Sequence, residues 1–183
     1  FPGDGAKPVK ALPNTAYAHT SSALFTFDVK SYVVTSVGSF QWVGGSGQMT
    51  DLAIDSYNVI YGVTFGDLWV CDADTATCTK LGALPGSFNG LTLVPPGVLM
   101  PGKDVLVGIA NNGSWYQLDY ADGVVTSTYL GAYGGGLTSS GDVYAIGGVG
   151  AFAAVNKSGA GGNWIVEVDP ATGTVLAELG EVT

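Results

Sequence analysis

Short apolar runs that end in an aspartate recur four times along the chain. The clearest is Leu68-Trp69-Val70-Cys71-Asp72, and equivalent runs occupy residues 24–28, 115–119 and 165–169. Each run leads into a short polar turn, a second strand-like run and a closing glycine, and these glycines are Gly38, Gly82, Gly131 and Gly180. The aspartates lie 44, 47 and 50 residues apart. This spacing is typical of the blades of a β-propeller.

The strand-like runs are apolar on both faces rather than alternating. Leu24, Phe25 and Phe27 are close neighbours, as are the four apolar residues that precede Asp72. A sheet with one face in water alternates apolar and polar residues, so these runs indicate sheets buried on both faces. No segment shows a helical period with capping signals, and the chain has 29 glycines, which disfavour helices. The predicted fold class is therefore all-β: a β-propeller-like array of about four blades with up-and-down antiparallel strands. A sandwich or jelly roll is the alternative, but neither needs a regular repeat.

The predicted organisation is an N-terminal arm and one repeat domain. The arm covers residues 1–14 and the single β-propeller-like domain covers 15–183, with repeats at about 15–48, 49–87, 88–136 and 137–183. The segment 38–48 is interpreted as a loop and 147–162 as an insertion.

Fifteen strands are predicted because the first repeat has three and lacks its innermost strand. The arm, a segment beyond Thr183 or another chain could complete it. An unpaired sheet edge can form hydrogen bonds to a further strand, so we expect a larger propeller or self-association through an open sheet edge.

The Asp169-Pro170-Ala171-Thr172-Gly173 turn with Leu179-Gly180, together with residues 51–55 and 60–63, resembles the tandem β-propeller repeats of secreted, uncharacterised proteins. The resemblance covers about residues 15–183. It implies the propeller fold and leaves the function open, since propellers host many activities. The Gly-His and Trp-Asp signatures of the best-known propeller repeat are absent from the sequence.

The charge balance narrows the range of partners. The chain contains six lysines, no arginine and 15 acidic residues, for a net charge of −9. Nucleic-acid binders need a basic surface, so nucleic acid is excluded as a partner class, and anionic membrane surfaces are disfavoured for the same reason. No run of about 18 apolar residues occurs, so the sequence predicts no membrane insertion.

Cysteine spacing and glycosylation motifs predict a secreted, extracellular protein. Cys71 and Cys78 would face each other across a hairpin, which predicts a disulfide and an oxidising compartment, with two buried thiols as the alternative. Asn112 and Asn156 each begin an Asn-x-Ser sequence and are candidate glycosylation sites.

Candidate chemistry on this chain is sparse. The repeated aspartates are interpreted as turn residues that bond their own backbone two residues on. Asp72 and Asp74 are weak calcium candidates, and no other cofactor is predicted. A second group of acids would lie near a channel mouth: Asp51, Asp55, Asp67, Asp104 and Asp142. His19 is the sole histidine and is interpreted as structural, and no catalytic residue is predicted.

Loops between the repeats carry aromatic rings beside amides. The candidate ligand-binding residues are Gln41, Trp42, Phe88, Asn89 and Tyr133, all of which would lie on one face of a propeller. Exposed rings beside amides suit sugar or peptide ligands, while the alternative is that the rings pack between blades. The predicted function is a secreted, non-enzymatic propeller module for binding a protein or glycan, or for extracellular assembly. The alternatives are a carbohydrate- or calcium-binding lectin-like propeller and a propeller hydrolase or lyase.

Overall fold

A computed structural model describes residues 15–55 and 59–182, and it confirms the predicted fold class. These residues form sixteen strands and no helix, in four sheets arranged as a four-blade β-propeller. Blade 1 comprises β1 (Thr15–His19), β2 (Ala23–Asp28) and β3 (Val34–Ser39). Blade 2 comprises β4 (Gln41–Val43), β5 (Asp51–Ile54), β6 (Ile60–Val63), β7 (Asp67–Cys71) and β8 (Thr77–Ala83). Blade 3 comprises β9 (Phe88–Val94), β10 (Val105–Ala110), β11 (Ser114–Ala121) and β12 (Val124–Ala132). Blade 4 comprises β13 (Thr138–Ile146), β14 (Gly150–Asn156), β15 (Asn163–Val168) and β16 (Val175–Val182).

Each blade is built on an antiparallel meander, to which blade 2 adds β4 in parallel at its outer edge. In blades 2, 3 and 4 the innermost strands are β5, β9 and β13, and β9 contacts both of the others extensively. The apolar run that ends in aspartate forms β2, β7, β11 or β15. Blade 1 has three strands among the described residues, as predicted. Because β2 is equivalent to β7, β1 corresponds to β6, and none of the described strands of blade 1 corresponds to the innermost strand β5. The arm at 1–14 and residues 56–58 lie outside the described residues.

The closing glycine of every repeat marks a β-bulge at the same register position. The first apolar residue of each motif pairs with the glycine, and the next residue pairs two positions further along: Leu24 with Gly38, Leu68 with Gly82, Trp115 with Gly131, and Ile165 with Gly180. One residue is therefore extra on the outer strand of every blade. Bulges increase the local twist, so the repeated glycine reflects a repeated bend in the sheet.

Three buried apolar clusters hold consecutive blades together. One lies between blades 1 and 2 and includes Leu24, Ile60 and Trp69. The second, between blades 2 and 3, includes Leu68 and Phe88, and the third joins blades 3 and 4. Because both faces of blades 2 and 3 are covered, their strands carry apolar residues without alternation.

Two predicted non-strand segments contain strands. Within 38–48, β4 pairs in parallel with β8, and Trp42 lies opposite Cys78. That pairing joins segments about 35 residues apart in sequence, which local pattern does not show. Within 147–162, β14 buries Ala151, Ala153 and Val155 on one face. These small residues fit on the buried face of β14. The high glycine and alanine content of 147–162 is the reason that the segment was interpreted as an insertion.

The predicted turn role is confirmed for three of the four repeated aspartates. The Oδ1 atom of Asp28 accepts hydrogen bonds from the backbone N–H groups of Lys30 and Ser31 at 2.9 and 2.8 Å. These bonds, led by that from Ser31, lower the pKa of Asp28. Asp72 and Asp169 accept equivalent bonds from residues two positions on, at 3.0 and 2.8 Å. Asp119 differs, because its Oδ2 accepts a 2.7 Å bond from the Gln117 side chain.

The predicted disulfide between Cys71 and Cys78 is present, and the two residues are direct cross-strand partners. Replacing both residues, Cys71→Ala with Cys78→Ala, should lower the free energy of unfolding by about 2–3 kcal/mol, because the short loop is no longer closed in the unfolded chain. Urea unfolding measures this change. A reducing agent applied to the wild type should reproduce most of it, and equal stability of the two proteins would contradict the prediction.

Candidate functional site

Hairpin turns and inter-blade linkers are joined by backbone hydrogen bonds on one face of the array. The linker from blade 2 to blade 3 is bonded to the β6–β7 turn, with Leu84 N–H donating to Gly66 O at 2.8 Å. The same linker reaches blade 3 through Asn111 N–H and Ser87 O, also at 2.8 Å. Ser139 N–H, at the start of blade 4, donates to Asn111 O at 3.1 Å. This bonded rim holds the loops of three blades in one fixed arrangement.

A cleft of about 260 Å³ opens in this rim between the linker that precedes β9 and the β10–β11 turn of blade 3. We call it the rim cleft, and its lining residues are Pro85, Gly86, Ser87, Phe88, Ala110, Asn111, Asn112 and Tyr116. Ser87, Asn111 and Asn112 are exposed, so hydroxyl and amide groups border the opening. The half-buried Tyr116 supplies apolar surface, while Phe88, which also borders the cleft, is fully buried. Small-ligand sites are usually lined by aromatic and other apolar side chains, with a few polar groups that converge on the ligand.

Three aromatic rings run from the base of the rim cleft towards solvent. The ring centroids of Phe88 and Tyr116 are 5.5 Å apart, and those of Tyr116 and Tyr129 are 5.6 Å apart. Phe88 is fully buried, whereas Tyr129 is 59% exposed. Ring-to-ring contact of this kind restrains each side chain. A rigid aromatic surface loses little conformational entropy when a ligand covers it.

Of the predicted ligand-binding residues, Gln41 and Trp42 lie on β4 and away from the rim cleft. The Gln41 side chain is exposed and its Nε2 donates to Ser39 O at 3.2 Å. The half-buried Trp42 ring packs edge-on against Trp69 with centroids 4.6 Å apart. A ligand role for these two residues stays a prediction, and the packing of Trp42 explains its presence without one.

Phe88, Asn89 and Tyr133 do not form the exposed surface expected of loop residues. The rings of Phe88 and Tyr133 are 0% and 2% exposed, and Phe88 and Asn89 belong to β9. Asn89 Nδ2 donates to Ser139 O at 3.2 Å, which links blades 3 and 4. These rings pack between blades, as the alternative interpretation expected. Among the three, Phe88 alone lines the rim cleft, and binding by any of them remains a prediction.

The sequence placed Asp51 near a channel mouth but did not show that its carboxylate is buried. Asp51 is 7% exposed at the start of β5. Its Oδ2 accepts a 2.7 Å bond from Leu91 N–H on the neighbouring blade, and its Oδ1 accepts a 2.8 Å bond from Leu52 N–H. His19 Nε2, from blade 1, lies 4.0 Å from Oδ1. Burial raises the pKa of Asp51 to about 8, although the two N–H donors act in the opposite direction.

The acids do not assemble into a metal site in the described part of the chain. No group of three or more histidine, cysteine, aspartate or glutamate side chains is placed to hold a metal there. Asp72 Oδ1 is already bonded to the N–H of Asp74 and to the N–H and hydroxyl of Thr75, each at 3.0 Å. Calcium binding at Asp72 and Asp74 stays an untested prediction.

Both predicted glycosylation residues are exposed. Asn112 Oδ1 accepts a 3.1 Å bond from Ser114 N–H, while Asn156 Nδ2 donates to Ser139 O at 3.0 Å. The nitrogen that would carry a glycan is thus already a hydrogen-bond donor in Asn156. Glycosylation of both residues stays a prediction.

None of the described segments forms a helix that could span a membrane. No protein-family model matches the chain, and no curated protein matches it either. Its solved structural neighbours include hydrazine synthase of Kuenenia stuttgartiensis, with a TM-score of 0.52, 15% identity and 90% of this chain covered. PorZ, a surface component of the type-IX secretion system of Porphyromonas gingivalis, has a TM-score of 0.51 and 18% identity over 90% of this chain.

An auxiliary nutrient-binding protein of Bacteroides thetaiotaomicron gives a TM-score of 0.51 with 12% identity over 97% of this chain. The chain spans 45%, 19% and 42% of the length of these three proteins, in the order given. At such low identity the likeness concerns the fold alone. What the chain shares with these proteins is the β-propeller arrangement.

Proposed function

We propose that the protein is a secreted, non-enzymatic β-propeller module that binds an extracellular ligand at the rim cleft. The observation that carries this proposal is that the exposed Asn111 and Asn112 line one cleft with the half-buried Tyr116, whose ring contacts the exposed Tyr129. Secretion is supported by the Cys71–Cys78 disulfide, since such bonds persist in oxidising compartments.

Glycans are the ligand class that this chemistry favours. A sugar ring has an apolar face that lies on an aromatic side chain and hydroxyl groups that bond amides. The rim cleft is of suitable size for one or two sugar rings, and its polar border is uncharged. A protein ligand would need a larger apolar surface than this cleft offers.

Substitution of Asn111 tests the site without disturbing the rim. Its backbone N–H and C=O make the rim bonds, so Asn111→Ala removes only the exposed amide. We expect affinity for a bound glycan to fall by roughly tenfold, because a hydrogen bond to the ligand is lost. The control is Asn163→Ala, an exposed asparagine on β15 of blade 4. A glycan array finds the ligand and calorimetry measures its affinity.

The protein for this test should be made without N-linked glycans, since Asn112 borders the cleft and could itself carry one. Binding that Asn111→Ala leaves unchanged would place the ligand elsewhere. A protein that retains no glycan from a broad array would contradict the glycan assignment.

A further inference from the structure

Buried polar atoms without a protein partner concentrate at the interface between blades 3 and 4. In the described part of the chain, four buried side-chain atoms have no hydrogen-bond partner, and three of them lie at this interface. They are Asn89 Oδ1 on β9, Trp115 Nε1 on β11 and Tyr133 Oη in the linker to blade 4. The large majority of buried polar groups in folded proteins are paired. Three unpaired atoms at one interface therefore indicate a partner from outside the chain.

The rings of Trp115 and Tyr133 are fixed at this interface. They pack edge to face, with centroids 6.0 Å apart and an interplanar angle of 81°. Trp115 is fully buried and Tyr133 is 2% exposed, and both belong to the apolar cluster between blades 3 and 4. Neither side chain can therefore turn its polar atom towards bulk solvent.

The hydroxyl group of Ser139, at the start of blade 4, is a third polar group beside Tyr133 Oη. Burial raises the pKa of Tyr133, while the nearby Ser139 and Trp115 act in the opposite direction. Yet neither of them makes a direct hydrogen bond to Tyr133 Oη. Polar groups that come near each other without bonding directly are commonly bridged by water. Ser139 Oγ accepts a 3.3 Å bond from Gly141 N–H, which leaves its own proton available to donate.

The chemistry of these three groups determines which molecule fits. Trp115 Nε1 can only donate, whereas the hydroxyls of Tyr133 and Ser139 can donate or accept. A metal cation needs free lone pairs, which an indole N–H does not offer. An anion is disfavoured, because the charge of Asp51 adds to the effect of burial in raising the pKa of Tyr133. Water is the smallest neutral molecule that accepts from the indole and bonds both hydroxyls.

We propose that an internal water molecule binds at the interface between blades 3 and 4, bonded to Trp115 Nε1, Tyr133 Oη and Ser139 Oγ. About three bonds to buried protein groups is typical of an internal water. Such water-mediated bonds are nearly as favourable as direct ones. This water therefore links β11 and the linker after blade 3 to the first strand of blade 4.

Two of the three residues that bond this water also support the β10–β11 turn. Tyr133 N–H donates to Gly113 O and Ser139 N–H donates to Asn111 O, each at 3.1 Å. The internal water thus restrains the two residues whose backbones hold the turn that borders the rim cleft. This role goes beyond ligand binding at the rim cleft and needs no ligand.

Tyr133→Phe tests the site because it removes one of the three polar partners and keeps the ring. Oxygen-17 magnetic relaxation dispersion detects long-lived internal waters and does not respond to hydroxyl protons. The dispersion amplitude should fall by the contribution of a single water, since a water left with two partners exchanges more rapidly. The control is Tyr61→Phe, which should keep the wild-type amplitude. Tyr61 is 1% exposed, and its hydroxyl donates to a protein group, Asp55 Oδ2, at 3.3 Å.

Hydrogen exchange tests the supporting role of the water. In Tyr133→Phe the Ser139 amide should exchange about five- to tenfold faster than in the wild type, because the interface loses one hydrogen bond. The Leu84 amide, which donates to Gly66 O at 2.8 Å, should keep its exchange rate. An unchanged rate at Ser139 would contradict the supporting role.

A high-resolution crystal structure locates the water directly, and we expect it within hydrogen-bond distance of all three atoms. Tyr133 Oη bonded directly to Trp115 or Ser139, with no water between them, would overturn the proposal. Equal dispersion amplitudes for Tyr133→Phe and Tyr61→Phe would overturn it as well. None of these measurements involves a glycan, so their failure is distinct from a failure of binding at the rim cleft.

Discussion

The free energy of unfolding should fall as the pH rises from about 4 to about 8, because Asp51 is buried. Burial raises the pKa of this carboxyl to about 8 in the folded protein, whereas the ordinary value is 3.8. Between these values the folded state binds a proton at Asp51 that the unfolded state has lost. The stabilisation is therefore complete below about pH 4 and is lost as the pH rises through the folded pKa. The steepest decline is on the order of 1.4 kcal/mol per pH unit from this one group.

Asp51→Asn should remove most of that pH dependence. The amide does not titrate, so the difference in slope between the wild type and the variant isolates Asp51. The variant should also be less stable at pH 4 by about 1–3 kcal/mol, because both carboxyl oxygens accept backbone N–H groups and an amide offers only one oxygen. Asp122→Asn is the control, since Asp122 is exposed in the β11–β12 turn and loses the same charge.

Urea unfolding at several pH values between 4 and 9 measures these slopes. The neighbouring ionisable groups are His19 at 4.0 Å and the Asp142 carboxylate, whose charge further raises the pKa of Asp51. Parallel slopes for the wild type and Asp51→Asn would show that the buried carboxyl does not change its charge in this range.

Gly173→Ala should lower the free energy of unfolding by about 3 kcal/mol. Gly173 has φ +73°, where an alanine costs about 1–2 kcal/mol. Its Cβ would also overlap the indole ring of Trp115, which is fully buried in blade 3. Overpacking of this kind costs about 1–3 kcal/mol more. The backbone term and the packing term therefore add at this position.

Gly123→Ala separates the two terms. Gly123 occupies the corresponding hairpin of blade 3, with φ +79° and nothing within 4 Å of the added Cβ. Only the backbone cost of about 1–2 kcal/mol applies there. Urea unfolding of the two variants measures the difference, which reports the contact between blades 3 and 4. A loss at Gly173 no larger than that at Gly123 would mean that the indole ring moves aside freely.

The position of Asp51 can be assigned from the sequence, but its burial cannot. Its place at the start of an inner strand follows from the repeat, and so does its nearness to other acids. Its burial depends on Leu91, 40 residues away, whose N–H group covers one carboxylate oxygen. Sequence spacing within one blade contains no information on that contact.

The candidate site was also only partly visible in the sequence. Phe88 was selected as a loop aromatic, and it does line the rim cleft, but its ring is buried and Asn89 bonds blade 4. Ser87, Asn111 and Asn112, which border the cleft, were not among the predicted ligand-binding residues. The hydrogen bond that joins Asn111 to Ser87 continues the β9–β10 pairing within blade 3, between strands that the loop 95–104 separates in sequence.

The sequence by itself determined the local structure: the four repeats, the all-β class, the Cys71–Cys78 bridge and the aspartate turns. Each depends on residues a few positions apart, whose periodicity and turn preferences act within one hairpin. Tertiary structure alone decided the parallel pairing of β4, the bulges at the closing glycines and the buried carboxyl of Asp51. These depend on which blades meet, and contacts between blades join residues that are distant in the chain.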